Sequence, residues 1–318
     1  MQEVTINIPS SSEGRPRLKA GWRILIFVGI FYAFSSSIFL IRPLLGNISK
    51  SSFLSDYSFI IVSVLAVSAT LGVYLCRRLL DRQSFVSLGL RMDGAALRDL
   101  GFGFLLSGLM AGLFFLLLMS IGALEVDGVT LNIGNYGILS DQGFVEFMKI
   151  MSLGTLFILL LEHILVGYWE ELVFRGYLFQ NMIQGMGMIL SIAVSCLLYG
   201  LIHAFNPNAT LLSSVIIMGF GFLRLYGYLT TKMLWLSMGM HIGWNFFQGP
   251  IFGFGASGHQ MTSVITHEFT TESDFLTGAS FGPEGSILII PIVILAGWCM
   301  KAYSLKFNKA ANDGKNRA

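Results

Sequence analysis

Glu170 and Glu171 are adjacent within Leu161–Phe179 (LEHILVGYWEELVFRGYLF), a stretch otherwise apolar enough to lie in a bilayer, and Arg175 follows one helical turn after Glu171. A carboxylate at membrane depth costs on the order of 2.5–3.5 kcal/mol by insertion scales. A chain that keeps two of them, with a cation four residues on, has organised a site around them. Two further apolar stretches carry polar groups at the same i, i+4 spacing: Tyr199 with His203, and His241 with Asn245. Residues four apart on a helix share a face, so three polar stripes can converge in a bundle core. Arg175 can neutralise Glu171. Glu170, rotated by about 100°, lacks that helical partner and is the better candidate for a general base that takes a proton from water. His203 and His241 could orient that water, share its proton or bind a metal. Asn245 can donate two hydrogen bonds and could stabilise an oxyanion.

In that order, E-E-x-x-x-R (Glu170–Arg175), aromatic-x-x-x-H (Tyr199–His203) and H-x-x-x-N (His241–Asn245) resemble the CPBP family. Its members include type II CAAX prenyl endopeptidases and bacterial bacteriocin-processing or self-immunity (Abi) proteins. The resemblance spans about Leu161–Gly249, and the continuation F-R-G-Y-L-F after the glutamates is also family-like. The second motif departs from the pattern, which usually has Phe at the position of Tyr199, so a new hydroxyl could join the network. The resemblance implies an intramembrane endopeptidase in which glutamate-activated water attacks a peptide carbonyl. The family's catalytic glutamate, two histidines and asparagine fall on Glu170, His203, His241 and Asn245, with Glu171 and Arg175 beside them. Glu170, His203 and His241 would suit zinc, yet His and Glu alone could run the reaction. A lipidated C-a-a-X protein and a bacterial signalling peptide or bacteriocin leader both remain open as substrates.

Those stripes need helices to hold them, and the composition supplies membrane helices. Of 318 residues, 54% are hydrophobic and only 12% charged, with a mean hydropathy of +0.71. Soluble domains carry roughly 25% charged residues. A net charge of +2 suggests no nucleic-acid partner. Cys76, Cys196 and Cys299 lie in apolar runs without metal-ligand or disulfide spacing. Runs of about 20 apolar residues predict eight spans: Trp22–Ile41, Phe59–Leu79, Leu100–Ile121, Phe147–Phe179, Met186–His203, Leu211–Tyr228, Leu234–Ile251 and Ile287–Met300. The first lacks a small-residue cleavage site and reads as a retained span.

The fold expected is an all-α polytopic membrane bundle with an intramembrane polar cavity. Its parts are a cytoplasmic tail (1–21), N-terminal spans (22–145), a CPBP-like catalytic core (146–251), an extracytoplasmic loop (252–286), and a last span with a basic cytoplasmic tail (287–318). Basic residues, among them Arg15, Arg77, Arg78, Lys301 and Arg317, fall on one side of these spans. Acidic Glu125, Asp127, Asp141, Glu146 and Glu268 fall on the other. That bias places both termini in the cytoplasm of, by expectation, a bacterial plasma membrane. Ser84–Asp99 mixes apolar and basic residues and reads either as an interfacial segment or as a short connection.

Several signals compete with this reading. His163, seven residues before Glu170, could extend the site, or with Glu162 could lie near the outer end of a long helix. Gly255-Ala256-Ser257-Gly258 matches the G-x-S-G of rhomboid serine proteases but sits in a Gly/Ser-rich segment outside a helix. Arg175 reads as electrostatic support, and Asn245 could simply join helices. A non-enzymatic scaffold and a proton-coupled transporter are the alternative functions. The predicted bounds also conflict with the site. They put Glu170 towards the cytoplasmic half of its span and His203 near the outer end of the next. Either the fourth segment tilts, it breaks near Gly167 or Gly176, or the bounds are off by several residues.

Overall fold

The computed structural model describes residues 17–41, 58–131 and 151–315. Arg15, Asp141, Glu146 and Arg317, used in the charge argument, lie outside the described residues, as do most of the tail over 1–21 and the start of the segment predicted from Phe147. The protein is mostly helical. Its principal helices are α1 (Ala20–Ser35), α2 (Ser58–Leu79), α3 (Gly94–Ser120), α4 (Leu153–Glu171), α5 (Phe179–Met186), α6 (Met188–His203), α7 (Leu211–Thr231), α8 (Trp235–Phe246) and α9 (Ile289–Lys315). Among the described residues, five helical stretches are long and apolar enough to cross a membrane. Large apolar side chains such as Ile189, Leu197, Leu211 and Trp298 are exposed on the bundle's outside, as a lipid-facing surface requires. The protein is an integral membrane helical bundle.

The predicted bounds shift in places that matter. Asp93 accepts a hydrogen bond from the Ala96 N–H at 3.0 Å, which starts α3 at Gly94 and absorbs the end of the expected interfacial segment. That bond also holds the Asp93 carboxyl below its ordinary range. Ser152 caps α4 by accepting from the Thr155 N–H at 3.0 Å. From there the chain stays helical to Met186, passing through a π-helical stretch at Leu172–Leu178. This run is about 50 Å long, and Glu170 and Glu171 sit at its middle.

Gly187, with φ of 78°, then reverses the chain into α6. Glu170 lies seventeen residues before this pivot and His203 sixteen after it. In an antiparallel hairpin those positions share a depth. The apparent mismatch between them came from the predicted bounds. The chain changes helical form over a stretch that includes Gly176, but this is not what aligns the two groups.

Close backbone contact wedges α8 into the bundle. A Cβ on Gly239 or Gly243 would collide with the carbonyls of Leu100 or Phe104 in α3, and one on Gly167 of α4 would strike Ile242. Small residues four apart permit this approach between membrane helices, and Ser107 Oγ seals it by donating to the Met240 carbonyl at 2.8 Å.

One further expectation needs correction. The protein is not all-α, because β1 (Leu124–Val129) pairs antiparallel with β2 (Ile265–Phe269). Parts of the stretch 252–286 pack into the bundle. Phe281 packs into an apolar cluster with Tyr177, Phe179 and Tyr199, and Glu284 is only 2% exposed. This Gly-rich chain folds back because its backbone can pass close to other backbone: Gly282, at φ 95°, lies against the Gly255 carbonyl.

Candidate active site

The cluster is built on Glu171, which is fully buried. Its Oε1 accepts from Arg175 Nη1 at 3.0 Å and lies 2.9 Å from His241 Nδ1. Its Oε2 accepts from the hydroxyl of Ser237. Arg224 of α7 brings a second guanidinium to 3.9 Å from Oε1. Two arginines therefore face two glutamates, which balances the buried charge and lowers the cost of keeping both carboxylates ionised. Arg175 also donates to the Gly221 carbonyl at 3.0 Å, fixing α7 against the π-helical stretch.

An ionised carboxylate only accepts, so Glu171 selects the His241 tautomer protonated at Nδ1. That leaves Nε2 as a proton acceptor, turned towards Glu170 Oε2 at 3.8 Å, too far for a direct hydrogen bond. Glu170 contrasts with its neighbour. Its side chain is 13% exposed, and its one side-chain hydrogen bond among the described residues comes from the Tyr199 hydroxyl at 2.9 Å. His203, one turn further along α6, packs against Tyr199 with ring centroids 4.4 Å apart and the rings tilted by 43°. Its Nδ1 lies 2.8 Å from the Tyr199 carbonyl, and no hydrogen bond engages its Nε2 among the described residues. Asn245 is half-buried one turn beyond His241, and no side-chain hydrogen bond holds it among the described residues.

Of the residues singled out in the sequence, Glu170, Glu171, Arg175 and His241 meet directly. His203 joins through Tyr199. His163 is 5% exposed on the face of α4 that also carries Gly167, and among the described residues neither of its ring nitrogens has a hydrogen-bond partner. It is therefore interior and not at a helix end, as the outer-end reading expected, while neighbouring Glu162 accepts from Ser58 Oγ at 3.3 Å. Among the described residues no three His, Cys, Asp or Glu side chains gather as a metal-ligand set. The trio Glu170, His203 and His241 does not meet as the tetrahedral zinc site its residue types suggest, and no step below passes through a metal.

Two cluster residues and one carboxylate outside the cluster escaped the sequence reading. Arg224 was detectable as a lone cation in an apolar helix. Ser237 was detectable as the residue one turn before His241. Glu284 carried no local signal: it accepts from Trp244 Nε1 at 2.9 Å and from Ser257 Oγ at 2.5 Å. Ser257, the rhomboid-like serine, is thus tied to a structural carboxylate.

Residues 152–247 match the family model described as type II CAAX prenyl endopeptidase Rce1-like. Over this stretch the chain is similar to that family, and the match is local. It covers every cluster residue from Glu170 to Asn245 and leaves out Ser257 and Glu284. By its description, the family matched is one of prenyl endopeptidases. No curated protein and no solved structure gives a match to the chain.

Proposed function

We propose that the protein is an intramembrane endopeptidase in which Glu170 is the general base. The observation that carries this is the inequality between the two glutamates. Glu171 has both oxygens occupied and holds His241. Glu170 keeps capacity for a proton and is partly accessible. In the proposed reaction Glu170 takes the proton of a water that attacks a peptide carbonyl. His241 Nε2, oriented through Nδ1 by Glu171, shares that water as the imidazole of a catalytic triad would. Asn245 has an uncommitted amide donor suited to the developing oxyanion. His203 donates its Nδ1–H to the Tyr199 carbonyl and offers Nε2 as an acceptor. The protonated Glu170 returns its proton to the leaving amine.

The substrate would be a membrane-associated peptide or lipidated protein, as the Rce1-like match suggests, reached from the bilayer through a polar cavity between α4, α6 and α8. Eight crossings with both termini cytoplasmic fit the charge bias of the loops. The core over 146–251 would carry the chemistry and 252–286 would cover it. Peptides from membranes that hold wild-type protein would be compared with those from membranes holding Glu170→Gln, His203→Ala or His241→Ala. A cleavage product made by the wild type and missing from all three supports the proposal. Full processing by inserted, folded variants refutes it.

A further inference from the structure

Tyr199 departs from the family-like motif, and its position is tightly determined. It is 1% exposed. The guanidinium carbons of Arg175 and Arg224 lie 4.5 and 4.8 Å from its ring centroid. Phe174 meets the ring edge-on at 5.2 Å, and His203 packs against it from its own helix. Cations over an aromatic face are held by the ring quadrupole, so both arginines brace this ring as well as balancing the glutamates. The hydroxyl of a ring held this way is aimed at Glu170 Oε2. Because an ionised carboxylate has no proton to give, the phenol is the donor.

The groups that bear on Glu170 are few. Tyr199 reaches it from α6 and His241 from α8, the latter at 3.8 Å and on the same Oε2. Glu171 and Arg175 are engaged with each other on its own element, and Arg224 of α7 faces Glu171. No described group hydrogen-bonds Oε1.

We propose that the Tyr199 hydroxyl is a positioning group for the base: by occupying Oε2 it orients the Glu170 carboxylate and leaves Oε1 as the oxygen that receives the proton of water. This rests on the reading of Glu170 as the base. A phenylalanine at 199 would leave the carboxylate free to rotate and less well solvated by the protein. The hydroxyl would therefore matter for the protonation of Glu170 as well as for its geometry, since a donor to the charged form favours that form.

The test uses the purified full chain in lipid nanodiscs and follows carboxyl protonation by infrared difference spectra against pH. The band that disappears in Glu170→Gln assigns Glu170. In Tyr199→Phe that band should titrate about one pH unit higher, from the loss of one hydrogen bond to a charged acceptor. Replacing Tyr199 with 3-fluorotyrosine keeps the ring and strengthens the donor, and should move the titration the other way. This second variant also covers the case in which Tyr199→Phe fails to fold. On a cleaved substrate, the acid limb of the pH–rate profile should move with the band, with kcat lowered and KM unchanged. A Glu170 band that stays in place in both variants overturns the proposal, even where activity falls. Infrared titration needs no turnover, so an inactive wild type would refute the protease reading by itself, and an unmoved band would refute only the positioning role.

Discussion

Two of the buried ionic clusters among the described residues differ in how completely their carboxylates are used. Near the end where α1 begins, Asp81 is 1% exposed and both of its oxygens are occupied. Arg23 Nη1 donates to one at 2.6 Å and Arg77 Nη1 to the other at 3.0 Å. The remaining arms of those arginines reach Gln184 at 2.8 Å and Ser87 at 2.9 Å, so the knot joins α1, α2, α5 and the turn after α2. Glu171 is saturated in the same manner. Glu170 is not, although it has the same chemistry and is one residue away. A saturated carboxylate holds helices together, whereas an under-coordinated one has lone pairs left for a reaction. Burial alone does not separate the two roles. The count of partners does.

The sharpest way to break this comparison is to neutralise each cluster in turn. Glu170→Gln should lower peptide processing by about 10²–10⁴-fold, the usual weight of a general base, with its thermal unfolding midpoint in detergent unchanged. A variant that unfolds instead would put Glu170 among the structural carboxylates. Asp81→Ala should do the reverse. Leaving two buried guanidiniums without their anion costs about 3–5 kcal/mol, read as a fall in unfolding free energy, while turnover per folded molecule persists. Loss of turnover without loss of stability would mean that the knot serves the chemistry.

Glu284→Gln is expected to have the smallest effect. It weakens the bonds from Trp244 and Ser257 to a charged acceptor, about 1–3 kcal/mol, and acts locally. Limited proteolysis within 252–286 should speed up while the Glu170 titration stays put. A shifted titration would place Glu284 in the site electrostatics.

Much of the site could be read in the sequence because its three stripes are local. An i, i+4 pair in an apolar helix shows both the face and the cost of burial without any knowledge of neighbours. Glu171 with Arg175, and His241 with Asn245, are pairs of that spacing. Arg224 is less visible because a single cation in a helix has no intrahelical partner to announce it. Glu284 is invisible because its two donors lie 40 and 27 residues away and its own segment looks like a solvated loop. The two-stranded sheet was missed for a similar reason: β1 and β2 are short, and β1 ends at Val129 while β2 begins only at Ile265.

By itself the sequence determined the helical membrane class, the polar residues kept inside it at a cost, and the likeness to an intramembrane protease family. Periodicity and composition act through nearest neighbours on one element, so these features need no partner to be visible. Tertiary structure alone decided which glutamate is saturated and which is left with capacity. It did so by folding α5 back on α6 at Gly187, bringing Arg224 and Ser237 to Glu171, and aiming the Tyr199 hydroxyl at Glu170. Two adjacent, identical side chains acquire different roles only when other helices supply hydrogen-bond donors to one of them and withhold them from the other.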